Sequence, residues 1–126
     1  MSHQRQLFTD RFHAWQKFHA DNPQVFAHFL RFARQAAAKR PGKSIGARLI
    51  WERLRWFRDF ETESADEFAM NDHHVGYYAR LAMQLYPQEL GGLFETRDAR
   101  FDATPTEILT AHLTITDSAL SEAVHS

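Results

Sequence analysis

At 126 residues the chain has the size of one domain and is long enough to bury a core without staples. It contains no cysteine, which excludes disulfides, thiolate zinc sites and a cysteine nucleophile and fits a reducing, cytoplasmic setting. The net charge of -1 hides a polarity along the chain: residues 31–58 carry nine Arg and Lys against one acid, a net of +8, while residues 59–126 carry three against thirteen, a net of -10.

Eleven Phe, three Trp and three Tyr make rings the main core candidates, and a small ring-rich core leaves surplus apolar surface that a homodimer would cover. The N-terminus lacks an apolar run of signal-peptide length, and no stretch approaches the roughly 18 to 20 apolar residues that span a bilayer. A soluble protein with no membrane partner is expected.

The first helix is predicted over about Gln4 to Ala20, with Phe8, Phe12, Trp15 and His19 on one stripe flanked by Leu7 and Phe18. Asn22 can cap the next helix and Pro23 suits its first turn. That second helix, Pro23 to about Lys39, buries Val25, Phe29, Phe32 and Ala36, widened by Phe26, Leu30, Ala33 and Ala37, and turns His28, Arg31, Arg34, Gln35 and Lys39 outward. Arg40-Pro41-Gly42-Lys43 breaks it, and Ser44 is placed to cap a third helix running to about Phe60. There Ile45, Leu49, Ile50, Leu54, Trp56, Phe57 and Phe60 form a wide inward arc, making this the central helix. Arg48, Trp51, Arg55 and Arg58 fall on the opposite side. Arg53 lies inside the apolar arc and needs a carboxylate, with Glu61, Glu63 or an acid of the later half as the candidates.

Glu61 to Asp66 is acidic, and a small hairpin is allowed near 61–70. Asn71-Asp72 supplies a cap for a fourth helix, His73 to Tyr86, with Val75, Tyr78, Leu81, Ala82 and Leu85 inward and His73, Tyr77, Arg80 and Gln84 outward. A turn at Gly91-Gly92 leads to Leu93-Phe94, expected to anchor on the core. Thr104-Pro105-Thr106-Glu107 matches a capping box and starts a last helix covering Ile108, Leu109, His112 and Leu113, with a frayed end. The predicted fold is all-α or nearly so, a compact bundle of four to five helices with a helix-turn-helix or winged-helix flavour. Residues 4–102 form one domain and 103–126 a helical appendage.

Catalytic signals are weak. Glu61, Glu63, Asp66 and Glu67 read as a solvated acidic turn; as a Mg²⁺-dependent nuclease centre they lack a nearby lysine. The histidines miss the three- or four-residue spacing of helical metal ligands, and His19 and His74 on apolar stripes read as hydrogen-bonded core or boundary residues. Gly42-Lys43-Ser44 looks like the end of a phosphate-binding loop, but the earlier glycine is absent at Ala37 and a helix precedes it. No catalytic residue, metal site or cofactor is assigned.

The basic stretch carries the functional expectation. Lys and Arg neutralise phosphates, and a helix start donates backbone N–H groups to them. Arg34, Lys39, Arg40, Lys43, Ser44 and Arg48 surround the turn between helices two and three; Trp51, Arg55 and Arg58 continue along the third helix. The expected partner is nucleic acid, double-stranded DNA in the first place, and the turn is the stronger contact. The competing reading is a salt-bridged surface, since Arg48 with Glu52 and Arg55 with Asp59 are i, i+4 pairs. Trp51 could instead anchor a dimer or a protein partner.

Asn22-Pro23 leading into Val25-Phe26 and Phe29, Ser44 with Ile50-Trp51-Glu52-Arg53 and Arg55-Trp56, Phe68 with Asn71, Tyr77-Tyr78-Ala79-Arg80-Leu81, Pro87, and Gly92 with Phe94-Glu95 and Arg97 carry a family likeness. Over about residues 20–100 the chain resembles a group of small proteins encoded by bacteriophages and prophages, with Asp72 standing where that pattern suggests a second asparagine. The resemblance implies a phage-related setting and assigns no activity; within that setting a regulatory role for the DNA contact is expected. It also leaves a second class open, a non-catalytic protein that binds and modulates a host protein.

Overall fold

The computed structural model describes residues 2–62, 68–96 and 102–125, with side chains over 10–62, 68–96 and 102–118. Among the described residues six α-helices follow one another: α1 Ser2–Asp21, α2 Pro23–Lys39, α3 Ala47–Trp56, α4 Val75–Leu85, α5 Pro87–Leu90 and α6 Pro105–His125. A π turn, Phe57–Glu61, continues α3, and a 3₁₀ turn, Asp72–His74, leads into α4. The fold is all-α, with the short α5 as the element that the sequence did not suggest.

Among the described residues there is no strand, only an isolated parallel bridge between Ile45 and Phe94. The hairpin expected near 61–70 falls largely outside the described residues. The link from α2 to α3, Arg40 to Gly46, is longer than the three- or four-residue turn of a helix-turn-helix.

Local signals place the helix ends. Pro23 starts α2, but Asn22 makes no side-chain cap to it; its amide donates instead to Phe18 O at 3.0 Å, closing the end of α1. Asn71 accepts from the His73 N–H at 2.9 Å, as a cap should. At α6 the Thr104 N–H donates to Glu107 at 3.0 Å and the Glu107 N–H to Thr104 Oγ1 at 3.1 Å, a complete capping box.

The centre of the molecule is α4, not α3. Tyr77, Tyr78, Ala79, Arg80, Leu81 and Ala82 are all buried, because α3, α5, α6 and α2 pack around this one helix. Tyr77 and Arg80, expected outside, are inside because both find oxygen partners. The Tyr77 hydroxyl donates to Asp102 at 2.7 Å, and Arg80 donates to Gly76 O at 3.0 Å.

Tyr78 is the hub of the ring cluster. Trp15 and His19 meet it edge-on at 5.7 and 5.3 Å, and Phe26 and Trp51 stack on it at 5.7 and 5.9 Å. Burying each such side chain contributes about 1.5–3 kcal/mol, so these contacts dominate the fold. Ala103, Ile108 and Ala111 are buried in the same core, and α6 runs Pro105–His125.

Candidate nucleic-acid interface

The link between α2 and α3 is a reversal built on glycine. The Arg40 N–H closes the last turn of α2 on Ala36 O at 3.1 Å, and Gly42 takes a φ of 78°, a left-handed conformation that side chains resist. Ile45 then donates its N–H to Leu93 O at 2.7 Å, tying the link to the segment behind α5. That segment turns at Gly91 and at Gly92, whose φ is 79°; a Cβ on Gly91 would lie 2.3 Å from Pro87 O. Arg40, Gly42, Lys43, Glu89, Gly91 and Gly92 line the resulting cavity of about 310 Å³.

The structure divides the predicted site residues into two groups. Arg40 and Lys43 sit at this cavity, and Lys39, one turn back, lines the groove between α2 and α3; none has a carboxylate partner among the described residues. The remaining cations are committed to acids. Arg34 donates to Glu89 at 2.9 Å and stacks over Tyr86 at 4.6 Å. Arg55 donates to Asp72 at 2.7 Å and to Glu52 at 3.1 Å, Arg48 lies 3.7 Å from Asp72, and Arg58 donates to Asp59 at 2.8 Å and to Phe68 O at 3.2 Å. The hydrogen bond from Arg55, then the charges of Arg55 and Arg48, hold the Asp72 carboxyl below its ordinary range; Arg58 does the same for Asp59.

Two predicted members are corrected. Ser44 does not cap α3; its hydroxyl donates to Glu95 at 3.1 Å, and Gly46 takes the cap position. Trp51 is 0 % exposed and stacks on Tyr78, so it cannot contact a partner. The arginine strip along α3 is therefore neither an open groove reader nor the i, i+4 pairing expected as its alternative. It is a clamp, with Asp72 ahead of α4 drawing in two of its arginines.

The same rotation of α3 turns other residues outward. Leu49, Trp56 and Phe60, expected in the core, are 63 %, 58 % and 70 % exposed, and the Trp56 and Phe60 rings touch at 4.6 Å between centroids. Arg53 pairs with Glu61, one of the expected partners, through both terminal guanidinium nitrogens, but half-exposed and over the Phe32 ring at 4.3 Å. The signal that could have located this outer face is its own spacing, since Leu49, Arg53, Trp56 and Phe60 form a stripe separate from Ile50, Trp51 and Leu54.

A buried histidine pair was only half visible in the sequence. His19 meets the Tyr78 hydroxyl at 3.2 Å through Nδ1 and His112 at 2.8 Å through Nε2. Burial, then the neighbouring His112, lowers the His19 pKa to about 4, and burial with His73 does the same for His74. Neutral imidazoles in a ring cluster serve packing here. Among the described residues no group of three His, Asp or Glu is arranged to hold a metal, and Glu63 and Asp66, the acids of the nuclease alternative, lie outside them. No helix among the described residues is long and apolar enough to cross a membrane.

Comparison with protein-family models, curated proteins and solved structures finds no match to this chain.

Proposed function

We propose that this is a non-catalytic, cytoplasmic nucleic-acid-binding protein that grips DNA phosphates at the link between α2 and α3 and works as a homodimer in a phage-related regulatory role. The observation that carries the reading is the sorting of charge. Five arginines of the basic stretch are neutralised by carboxylates; of the four cations left over, Arg31 lies over the Phe32 and Phe57 rings, while Lys39 at the end of α2 and Arg40 and Lys43 on the glycine-containing link that follows are close in sequence. Uncommitted Lys and Arg are what a phosphate contact draws on, and a committed arginine must break its pair first. The phage-related setting rests on the family resemblance alone.

A second reading, a protein that binds and modulates a host protein, is favoured by one observation, the exposure of Trp56 beside Phe60.

Titration of labelled duplex and single-stranded oligonucleotides over a range of salt separates the two. Contact with two to three phosphates by each protomer predicts log K falling with log salt at a slope of about -2 to -3 per protomer bound. Arg40→Ala/Lys43→Ala should reduce that slope by about 2 and weaken binding at every sequence tested. Arg48→Ala/Arg55→Ala should leave the slope unchanged. Absence of binding to either form at low salt sinks the nucleic-acid reading and leaves the second.

A further inference from the structure

Arg40 and Lys43 share their cavity with one acid. Among the described residues Glu89 lines it from α5, and a carboxylate beside a phosphate subsite both repels the phosphate and competes for its cations. Yet Glu89 pairs with neither Arg40 nor Lys43. It is held by Arg34, which is not part of the cavity lining and donates through Nε to its Oε2 at 2.9 Å.

The local structure makes the choice of partner a matter of side-chain rotation alone. Beneath Glu89 the backbone is fixed: Leu90 is fully buried, its N–H donates to Tyr86 O at 2.7 Å, and the Gly91 N–H donates to Pro87 O at 3.1 Å. The Glu89 side chain is half-exposed and free to turn about its own bonds. Arg34 is less free. It stands three residues before Ala37, which forms part of the cavity wall, and its guanidinium lies over the Tyr86 ring at 4.6 Å. Tyr86, three residues ahead of Glu89, thus holds Arg34 where it meets the carboxylate.

We propose that Glu89 is a competitor built into the phosphate site and that Arg34 keeps the site open by occupying its carboxylate. Arg34 is then a positioning residue, one that touches no phosphate and matters to binding only while Glu89 is present. Without it the carboxylate turns to Arg40 or Lys43 and neutralises one of the cations that a phosphate would use. An exposed pair adds little to folding, and the buried Leu90 is what anchors α5. The Arg34–Glu89 contact is therefore free to serve binding. This role rests on the nucleic-acid reading and adds to it a regulation of the same site.

A double-mutant cycle on binding of a labelled duplex at low salt tests it. Arg34→Gln, which keeps part of the stem over Tyr86, should bind about 5-fold more weakly than wild type, the size of an exposed ion pair formed in competition. Its slope of log K against log salt should be shallower by about 1 per protomer bound. Glu89→Gln should bind at least as tightly as wild type. In the Glu89→Gln background, Arg34→Gln should change nothing, because no carboxylate remains to be held. Circular dichroism and Tm of the three variants check that each is folded, and Glu89→Gln, an exposed change, tests the competitor even where Arg34→Gln loosens α5. Three results overturn the proposal and leave the nucleic-acid reading standing: wild-type affinity in Arg34→Gln, weaker binding by Glu89→Gln, or equal weakening by Arg34→Gln with and without Glu89, which would make Arg34 a direct contact. A wild type that binds no duplex at low salt overturns both.

Discussion

Trp51 shows what one residue can hide. Its helical neighbours Arg48, Arg55 and Arg58 make it look like an exposed recognition residue, yet its ring is fully enclosed against Tyr78. Trp51→Ala should therefore cost about 3–5 kcal/mol in chemical denaturation, the range for deleting a buried ring. A surface aromatic would cost almost nothing, so a loss under about 1 kcal/mol contradicts the packing described above. The buried histidines predict a pH dependence. His19 and His74 titrate near 6.5 when unfolded and at about 4 when folded, so below 6.5 the unfolded chain binds more protons. Stability is thus full above about pH 6.5 and declines as pH falls towards 4, by on the order of 2 kcal/mol per histidine at the lower end. Denaturation series between pH 4 and 7 on the wild type and on His19→Gln check this; the variant should show a flatter profile.

At the scale of the element, α3 and α4 explain what was legible in the sequence and what was not. The boundaries of α2, the Asn71 cap and the capping box at Thr104 depend on residues within a few positions of one another, and each is readable from spacing. The rotation of α3 is not local. Its apolar residues lie on both sides of the helix, so periodicity alone cannot say which side meets the core. The deciding contacts, Trp51 on Tyr78 and the arginines on Asp72, reach across 17 to 27 positions. α4 misleads for a similar reason, because Tyr77 finds its acceptor 25 positions away at Asp102. The clamp on α3 makes a prediction. Asp72→Asn releases Arg48 and Arg55 from exposed pairs worth at most about 1 kcal/mol each, so Tm should fall by only a few degrees. Under the proposed function, the salt slope of DNA binding should steepen as the freed arginines become available. An unchanged slope would mean that the arginines of α3 lie too far from the nucleic acid to help.

For the whole molecule, the separation of charge along the chain does not survive folding intact. Arg34, Arg48, Arg53, Arg55 and Arg58 reach forward to Glu89, Asp72, Glu61 and Asp59, so four acids of the half that follows cancel half of the +8. The sequence could not tell which cations would be left over, because those pairings are set by how the helices pack. It did place the surplus at the turn, where Arg40 and Lys43 remain. The bridge that holds that turn also bears on how the protein moves. Two hydrogen bonds, from Ile45 N–H to Leu93 O and from the exposed Ser44 hydroxyl to Glu95, join segments about 50 positions apart. Closing so long a loop for so few bonds puts this contact among the last to form during folding and the first to open in the native state. Amide hydrogen exchange at Ile45 would then run ahead of global unfolding, so the basic turn can loosen and reclose as a unit while the ring cluster around Tyr78 stays shut.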